Sequence, residues 1–134
     1  MRAVDTNVLV RLITRDGGAQ VAAADAFVKA GAWVSHLVLA ETTWVLGTVY
    51  DRGPASIATA VEMLMDHEAL SLQDAAVVAA ALVHFRGRSG LGFSDCLVLE
   101  IARRAGHLPL GTFDRGLAKL DSNAVELLAA RGAG

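Results

Sequence analysis

The chain has very little that could crosslink, interrupt or anchor it. Cys96 is the only cysteine among 134 residues, which excludes an intramolecular disulfide and a thiolate metal cluster. Only two prolines occur, Pro54 and Pro109, and no low-complexity linker or repeat is present. We therefore expect a single domain over residues 1–134, large enough to bury a core of its own.

The sequence also lacks a membrane-spanning segment, a signal peptide and a large excess of positive charge. No apolar run approaches the roughly 18 residues that span a bilayer, and the start MRAVDTN reaches an acid too early for a signal peptide. The formal net charge is −2, which argues against the positive coat of a sequence-independent DNA binder but permits a local basic rim. We expect a cytoplasmic protein.

What the chain does have is apolar residues, which make up 54% of it. That share exceeds the usual content of a soluble domain, and the excess predicts some apolar surface that meets a partner chain. We interpret Cys96, Trp33 and Trp44 as core residues, because each stands in an apolar run.

Short β-type runs alternate with Ala-rich helical stretches. We predict strands at 2–4, 32–35, 69–72, 108–112 and 124–128. We predict helices at 6–15, 19–30, 36–50, 55–66, 74–85 with Asp74 as N-cap, 94–105 ending at Gly106, and 115–120. The alternation predicts an α/β fold with a parallel sheet covered on both faces, a glycine-dense loop RGRSGLG before the sixth helix, and a frayed tail at 132–134.

Four acids stand in or beside stretches that otherwise read as core. They are Asp5 in RAVDTNVLV, Glu41 in HLVLAETTWVL, Asp95 in FSDCLVLEIA and Asp114 in PLGTFDRGL. Burying an ionised carboxylate without a partner costs several kcal/mol, and no run of Lys or Arg accompanies these segments. A divalent cation would relieve that cost. In parallel α/β folds ligands bind beyond the carboxyl ends of strands, where Asp5 and Asp114 are predicted to lie.

Each acid also has an ordinary structural explanation. Glu41 shares a predicted core-facing stripe with Leu37 and Trp44, and it could form an internal ion pair or lie at the edge of its helix. Asp95 and Asp114 each stand at the beginning of a helix and could be caps or dipole partners.

Asp5 has the weakest structural explanation, because an aspartate between a core strand and the core helix VLVRLI has no ordinary structural role, although Asn7 could cap that helix. Four independent structural roles are a less simple explanation of these acids than one shared cation site.

Carboxylates supply hard oxygen ligands, which suit Mg²⁺ or Mn²⁺ better than Zn²⁺. Mg²⁺ keeps several waters and takes one or two direct carboxylates, so the remaining acids would act through bound water. Such a site suits phosphoryl chemistry, because the metal lowers the pKa of a water for attack. The histidines lack metal-ligand spacing and read as surface or strand-end residues; they are His36, His67, His84 and His107.

Polar and basic residues surround three of the acids. Hydroxyl and amide groups could hold a carboxylate or a water in place, although caps and turns explain them equally well; they are Thr6, Asn7, Ser94 and Thr112. Three arginines could contact substrate phosphates, although most basic residues here fit ordinary solvated charges; they are Arg86, Arg88 and Arg115.

The ordered set of motifs resembles the PIN-domain nucleases, and within them the VapC-type toxins of bacterial toxin–antitoxin pairs. The motifs are VDTNVLVR at 4–11, LAE at 39–41, FSDC at 93–96 and TFD at 112–114, and together they extend over nearly the whole chain. The resemblance implies a three-layer α/β/α sandwich and Mg²⁺- or Mn²⁺-dependent cleavage of RNA. It maps the acidic quartet of the family onto Asp5, Glu41, Asp95 and Asp114, and its last polar partner onto Thr112.

The resemblance also implies partners: a homodimer, and a small antitoxin that threads a segment along an apolar groove near the active site. In one respect the chain departs from some relatives, which carry another acid just after the last motif. Arg115 and Gly116 stand there instead, so a second metal is less secure than the first. Two other functions remain open, an RNA-processing PIN nuclease without a toxin role and a PIN-like module that binds without cleaving.

Overall fold

The computed structural model describes residues 1–88 and 90–130. Ser89 in the predicted loop RGRSGLG, and the predicted frayed tail at 132–134, lie outside the described residues.

The described residues form five strands and seven helices, with one or two helices between successive strands. The strands are β1 (Arg2–Ala3), β2 (Ala32–Val34), β3 (Leu70–Leu72), β4 (Leu110–Thr112) and β5 (Val125–Leu127). The helices are α1 (Thr6–Thr14), α2 (Gly18–Val28), α3 (His36–Thr48), α4 (Pro54–Asp66), α5 (Ala75–Gly87), α6 (Phe93–Ala105) and α7 (Arg115–Ala118). Every predicted element is present, and each begins and ends within two residues of its predicted bounds.

All strand pairs are parallel, which confirms the α/β fold. β2 lies between β1 and β3, with Ala32 opposite both Arg2 and Leu70. β4 pairs separately with β5, Leu110 opposite Val125. The hydrogen-bonded ladder thus comes in two parts rather than as one continuous sheet. The chain leaves β1 at Asp5 and leaves β4 just before Asp114, so both acids follow the carboxyl end of a strand.

Two helix ends can be compared directly with the sequence predictions. Gly106 ends α6 in the left-handed conformation at φ 83°, as predicted, because glycine carries no Cβ to clash there. Asp74 precedes α5 as predicted, but its side chain makes no capping bond. Asp74 is thus the N-cap residue, as predicted, but its carboxylate pairs with Arg104 Nε at 2.9 Å and not with a backbone amide of α5.

Two apolar clusters form the interior. The larger one joins β2 and β3 with helices α1 to α6 around Leu9, Val34, Leu39 and Val78. The smaller one joins the start and middle of α6 to α7 and β5 through Leu91, Leu99, Leu117 and Val125. No helix among the described residues is both long and apolar enough to cross a membrane.

Helix α3 is oriented differently from the prediction. Its buried stripe is Leu39, Thr42, Thr43 and Leu46, where each threonine hydroxyl donates to a carbonyl of its own helix. The face that carries Glu41 points to solvent, so Leu37 is 69% exposed and Trp44 65%. Trp33 is exposed as well, so both tryptophans were wrongly assigned to the core.

Candidate metal and nucleic-acid site

Asp5 lies at the junction of β1 and α1. Val4 is buried and its amide donates to the Trp33 carbonyl, which ties the end of β1 to β2. Asp5 then adopts an extended backbone as the N-cap of α1, and its Oδ1 accepts from the Val8 amide at 3.2 Å. Asp5, and not Asn7, therefore caps this helix, and its carboxylate is oriented by the first helical turn.

Glu41 is linked to the first motif by a direct hydrogen bond. The Thr6 hydroxyl donates to Glu41 Oε2 at 2.7 Å, across 35 positions of sequence. α1 packs against α3, which places the residue after Asp5 beside the middle of α3. The first and second motifs thus meet at this bond.

Asp95 lies in the first turn of α6, and α6 also packs against α3. Its Oδ2 accepts from the Gly92 amide at 3.2 Å, an arrangement in which an acid at the third helical position bonds back to the N-cap backbone. Since α3 contacts both α1 and α6, it is the element that relates the first three acids to one another.

Asp114 caps the short helix α7. Its Oδ1 accepts from the Gly116 amide at 2.7 Å and the Leu117 amide at 3.2 Å, while its own amide donates to Thr112 Oγ1 at 3.0 Å. Leu91, next to the N-cap of α6, packs against Gly116. The beginning of α7 therefore lies against the segment that leads into Asp95.

The four acids share one pattern of bonding. Each commits one carboxylate oxygen to a backbone amide or to the Thr6 hydroxyl, and the other oxygen makes no hydrogen bond within residues 1–88 and 90–130. Asp5, Glu41 and Asp114 are exposed and Asp95 is half-buried. The expectation of core burial was therefore wrong. Water and the positive ends of three helices make these carboxylates tolerable without a cation.

The donor chemistry of this set fits Mg²⁺ or Mn²⁺, since every candidate ligand atom is a carboxylate, hydroxyl or amide oxygen. The spacing does not form a closed cage. Among the described residues, no three His, Cys, Asp or Glu side chains form a group that could hold a metal ion. The arrangement therefore fits a hydrated ion that contacts one or two carboxylates, and not a site made of protein ligands alone.

Of the three arginines predicted to contact RNA, two bond to other parts of the protein and one lines a surface groove. Arg86 lies in the last turn of α5 and pairs with Glu62 of α4 at 2.8 Å, and Arg88 donates to the Lys119 carbonyl at 2.8 Å. Arg115 lines a surface groove with Phe113 and Leu128.

Asn7 lines a separate groove between α1 and α2, of about 410 Å³, together with Arg11 and Phe27. Ser94 follows the N-cap of α6, next to Asp95.

The acid that the fold does bury is Glu100, which the sequence reasoning missed. It is 7% exposed and pairs with Arg103 Nε at 3.1 Å and with His84 Nε2 at 3.4 Å. Arg103 also forms an ion pair with Asp121, with 2.8 Å between Nη2 and Oδ2, and this bond lowers the pKa of Asp121 below its ordinary value. The signal was present in the sequence, because Glu100 follows Leu99 in a core run and precedes Arg103 by three positions.

Cys96 is fully buried, as predicted. Burial, and then the nearby charge of Asp95, raise the pKa of its thiol to about 11. The thiolate is therefore nearly absent at neutral pH, and Cys96 is a packing residue beside the site.

Comparison with known families gives one match. Residues 2–123 match the model of the PIN domain, an interval that includes all four acids and all but the last strand of the fold. Curated proteins and solved structures gave no significant match. PIN domains are in general metal-dependent nucleases, and their fold combines helices with a parallel sheet, as here. Because the match extends over most of its length, this chain belongs to the PIN domain family.

Proposed function

We propose that this protein is a Mg²⁺- or Mn²⁺-dependent endoribonuclease of the cytoplasm, and that it is the toxin of a toxin–antitoxin pair. One observation carries the catalytic part. Three aspartates at helix N-termini and one glutamate held by Thr6 each keep one oxygen in fixed geometry and leave the other without a hydrogen bond among the described residues. Oriented oxygens of this kind suit a cation and its waters.

The four acids have different proposed roles. Asp5 and Asp95 would contact the metal directly, Glu41 would orient a water or act as a further ligand, and Asp114 would complete the outer part of the site. A bound Mg²⁺ would supply a water of lowered pKa and a positive charge facing the phosphodiester. Hydrolysis in line would leave a 5′-phosphate and a 3′-hydroxyl.

The chain itself would supply orientation. The Val8 and Gly92 amides fix the directions of the Asp5 and Asp95 carboxylates, and the Thr6 hydroxyl fixes Glu41. Because these bonds exist before any ligand binds, little reorganisation is needed when RNA arrives. After Asp114 come Arg115 and Gly116 rather than another acid, which favours one metal over two.

The partner part of the proposal includes a homodimer and a small antitoxin that covers an apolar groove. The groove between α1 and α2 supports it, because Val8, Ala24 and Phe27 give this groove apolar walls and apolar surface favours protein contacts. The alternatives are an RNA-processing nuclease and a module that binds without cleaving. Expressing the chain alone in bacteria separates the first of these: growth arrest, relieved by a small protein encoded beside it, supports the toxin.

The catalytic test uses isosteric substitutions with a matched control. Asp5→Asn and Asp95→Asn should each abolish RNA cleavage in Mg²⁺ or Mn²⁺, while Asp66→Asn, an exposed acid at the end of α4, should cleave like the wild type. Gel analysis of a labelled single-stranded RNA measures all of them. EDTA should stop the wild-type reaction, and full activity in both site variants would overturn the proposal.

A second pair of variants tests the role of Thr6. Thr6→Val removes the donor to Glu41 and should lower metal-dependent cleavage by roughly 10- to 100-fold, the usual cost of losing a partner that orients a ligand. Thr6→Ser keeps the hydroxyl and should retain most of the activity. Equal activity in the two variants would show that the Glu41 contact does not matter.

A further inference from the structure

A small cavity of about 250 Å³ lies between α3, the beginnings of α4 and α6, and the end of α5. The lining residues that decide its chemistry are Trp44, Arg52, Ile57, Phe85, Phe93 and Ser94. None of these residues belongs to the proposed catalytic quartet. The cavity is therefore a separate feature of the surface.

The cavity nevertheless borders two of the candidate acids. Trp44 follows Glu41 by three positions on α3, so both side chains lie on the same helix face. Gly92 donates its amide to the Asp95 carboxylate, and Ser94 is the neighbour of Asp95 in the chain. A group that occupies the cavity would therefore lie next to the segments that carry Glu41 and Asp95.

Most of the cavity wall is apolar, and its apolar side chains pack against one another. Phe85 and Phe93 meet edge to face with ring centroids 5.7 Å apart, which fixes both rings. Ile57 packs against Gly47, where a Cβ would lie 3.5 Å from the isoleucine Cδ1. Trp44, 65% exposed, stands at the rim and presents a large planar ring to solvent.

Two polar groups of the cavity have no partner among the described residues. The Arg52 guanidinium makes no ion pair or hydrogen bond within residues 1–88 and 90–130, unlike Arg86 of α5, which is paired with Glu62. The Ser94 hydroxyl is likewise without a partner in that part of the chain, whereas Thr43 and Thr48 donate to carbonyls of their own helix. The cavity thus combines a planar apolar surface with one available cation.

We propose that this cavity binds one unpaired nucleobase of the RNA next to the cleaved phosphate, with the base against Trp44 and a flanking phosphate at Arg52. The inference rests on the proposed nuclease function and adds the residues that would hold a base and its phosphate next to the cut. Single-strand recognition combines aromatic stacking with cationic backbone contacts, which are the two features present here. The volume lies just below the roughly 300 Å³ at which pockets for larger ligands begin, so it suits one ring system.

Two other occupants are chemically possible on an apolar face, a peptide of a partner protein and a second copy of this chain. The Arg52 guanidinium, which has no ion pair among the described residues, and the position next to the segment that carries Asp95 favour RNA, because a polyanion is attracted to an unneutralised cation. RNA binding, partner-peptide binding and molar mass, measured on Trp44 variants, distinguish the three.

The first measurement is binding without cleavage. In EDTA, the variant Trp33→Phe leaves Trp44 as the only tryptophan, and a short single-stranded RNA should quench its fluorescence more than a duplex of the same sequence. By anisotropy of labelled RNA, Trp44→Ala should weaken binding roughly 5- to 150-fold, the range of one lost base stack. Trp44→Phe should restore most of it, and the control Val83→Ala, on the exposed face of α5, should bind like the wild type.

The second measurement separates this inference from the proposed function. If the wild type cleaves RNA and Trp44→Ala leaves affinity, KM and the base preference at the cut unchanged, the base subsite is wrong and the nuclease stands. If Trp44-dependent binding occurs without any metal-dependent cleavage, the subsite stands and the nuclease fails.

Arg52→Ala should weaken binding and lessen its salt dependence, while Lys29→Ala, which removes a positive charge at the end of α2, should not. If Trp44→Ala changes only the molar mass by light scattering or the affinity for a partner peptide, protein covers this face and the proposal is overturned.

Discussion

Asp5 is a helix cap and a proposed metal ligand, and two substitutions measure these two roles separately. Asp5→Asn keeps a side-chain oxygen that can accept from the Val8 amide, and asparagine caps helices about as well as aspartate. Asp5→Ala removes the acceptor altogether. Both substitutions remove the negative charge, so the difference between them isolates the capping bond.

The expected magnitudes follow from the geometry of the junction. Loss of an N-cap acceptor costs about 1 kcal/mol, with a range of roughly 0.5–2. Loss of the charge at the helix N-terminus costs about 0.3–1 kcal/mol at low salt, but it also relieves repulsion from the neighbouring acids, so we expect Asp5→Asn to stay within about 0.5 kcal/mol of the wild type. For a domain of this size, 1 kcal/mol corresponds to a Tm shift of about 3–5 °C.

Urea unfolding followed by circular dichroism, in EDTA at moderate salt, measures this difference. Asp5→Ala should be about 1 kcal/mol less stable than Asp5→Asn. On adding Mg²⁺ or Mn²⁺, the wild type should gain stability according to its metal affinity, and both variants should gain little. If Asp5→Asn is as unstable as Asp5→Ala, the cap does not explain the stability, and if both variants respond to metal like the wild type, Asp5 is not a ligand.

Two further predictions concern the interior. Glu100→Ala should lower the free energy of unfolding by about 2–3 kcal/mol. This is less than the cost of breaking a fully buried ion pair, because Arg103 is partly exposed and stays bound to Asp121. RNA cleavage per folded molecule should be unchanged, and a variant with wild-type stability but no cleavage would contradict this prediction. Cys96, with a thiol pKa of about 11, should be roughly one part in a thousand ionised at pH 8, so a thiol reagent should label it only after unfolding, and rapid labelling of the native protein would refute the burial argument.

The order of helices and strands could be predicted from the sequence because it depends on short-range signals. Gly106 at the end of α6 and the Gly53–Pro54 step before α4 act locally, and the structure obeys them. The positions of Asp5 and Asp114 after strands followed from the alternation of elements. The matching of the motifs to a PIN domain added the family, which periodicity alone would not have supplied.

The orientation of α3 could not be predicted in the same way. Apolar residues occur on every side of this helix, so its pattern does not select a face. The structure buries Thr42 and Thr43, whose hydroxyls bond to their own helix, and leaves Leu37 and Trp44 outside. The exposed state of Glu41, and the buried state of Glu100 on α6, both depend on long-range packing that a pattern of single residues does not record.

The capping bonds determine how long the three aspartate carboxylates stay oriented. A carboxylate held by the first turn of a helix keeps its direction only while that turn is closed, and helix ends open far more often than the protein unfolds. The Val8, Gly92, Gly116 and Leu117 amides are therefore reporters of three acids at once. The hydrogen-exchange rates of these amides would show what fraction of molecules has all three carboxylates oriented at a given moment. A ligand that slows exchange at all four amides together would stabilise the first turns of the three helices.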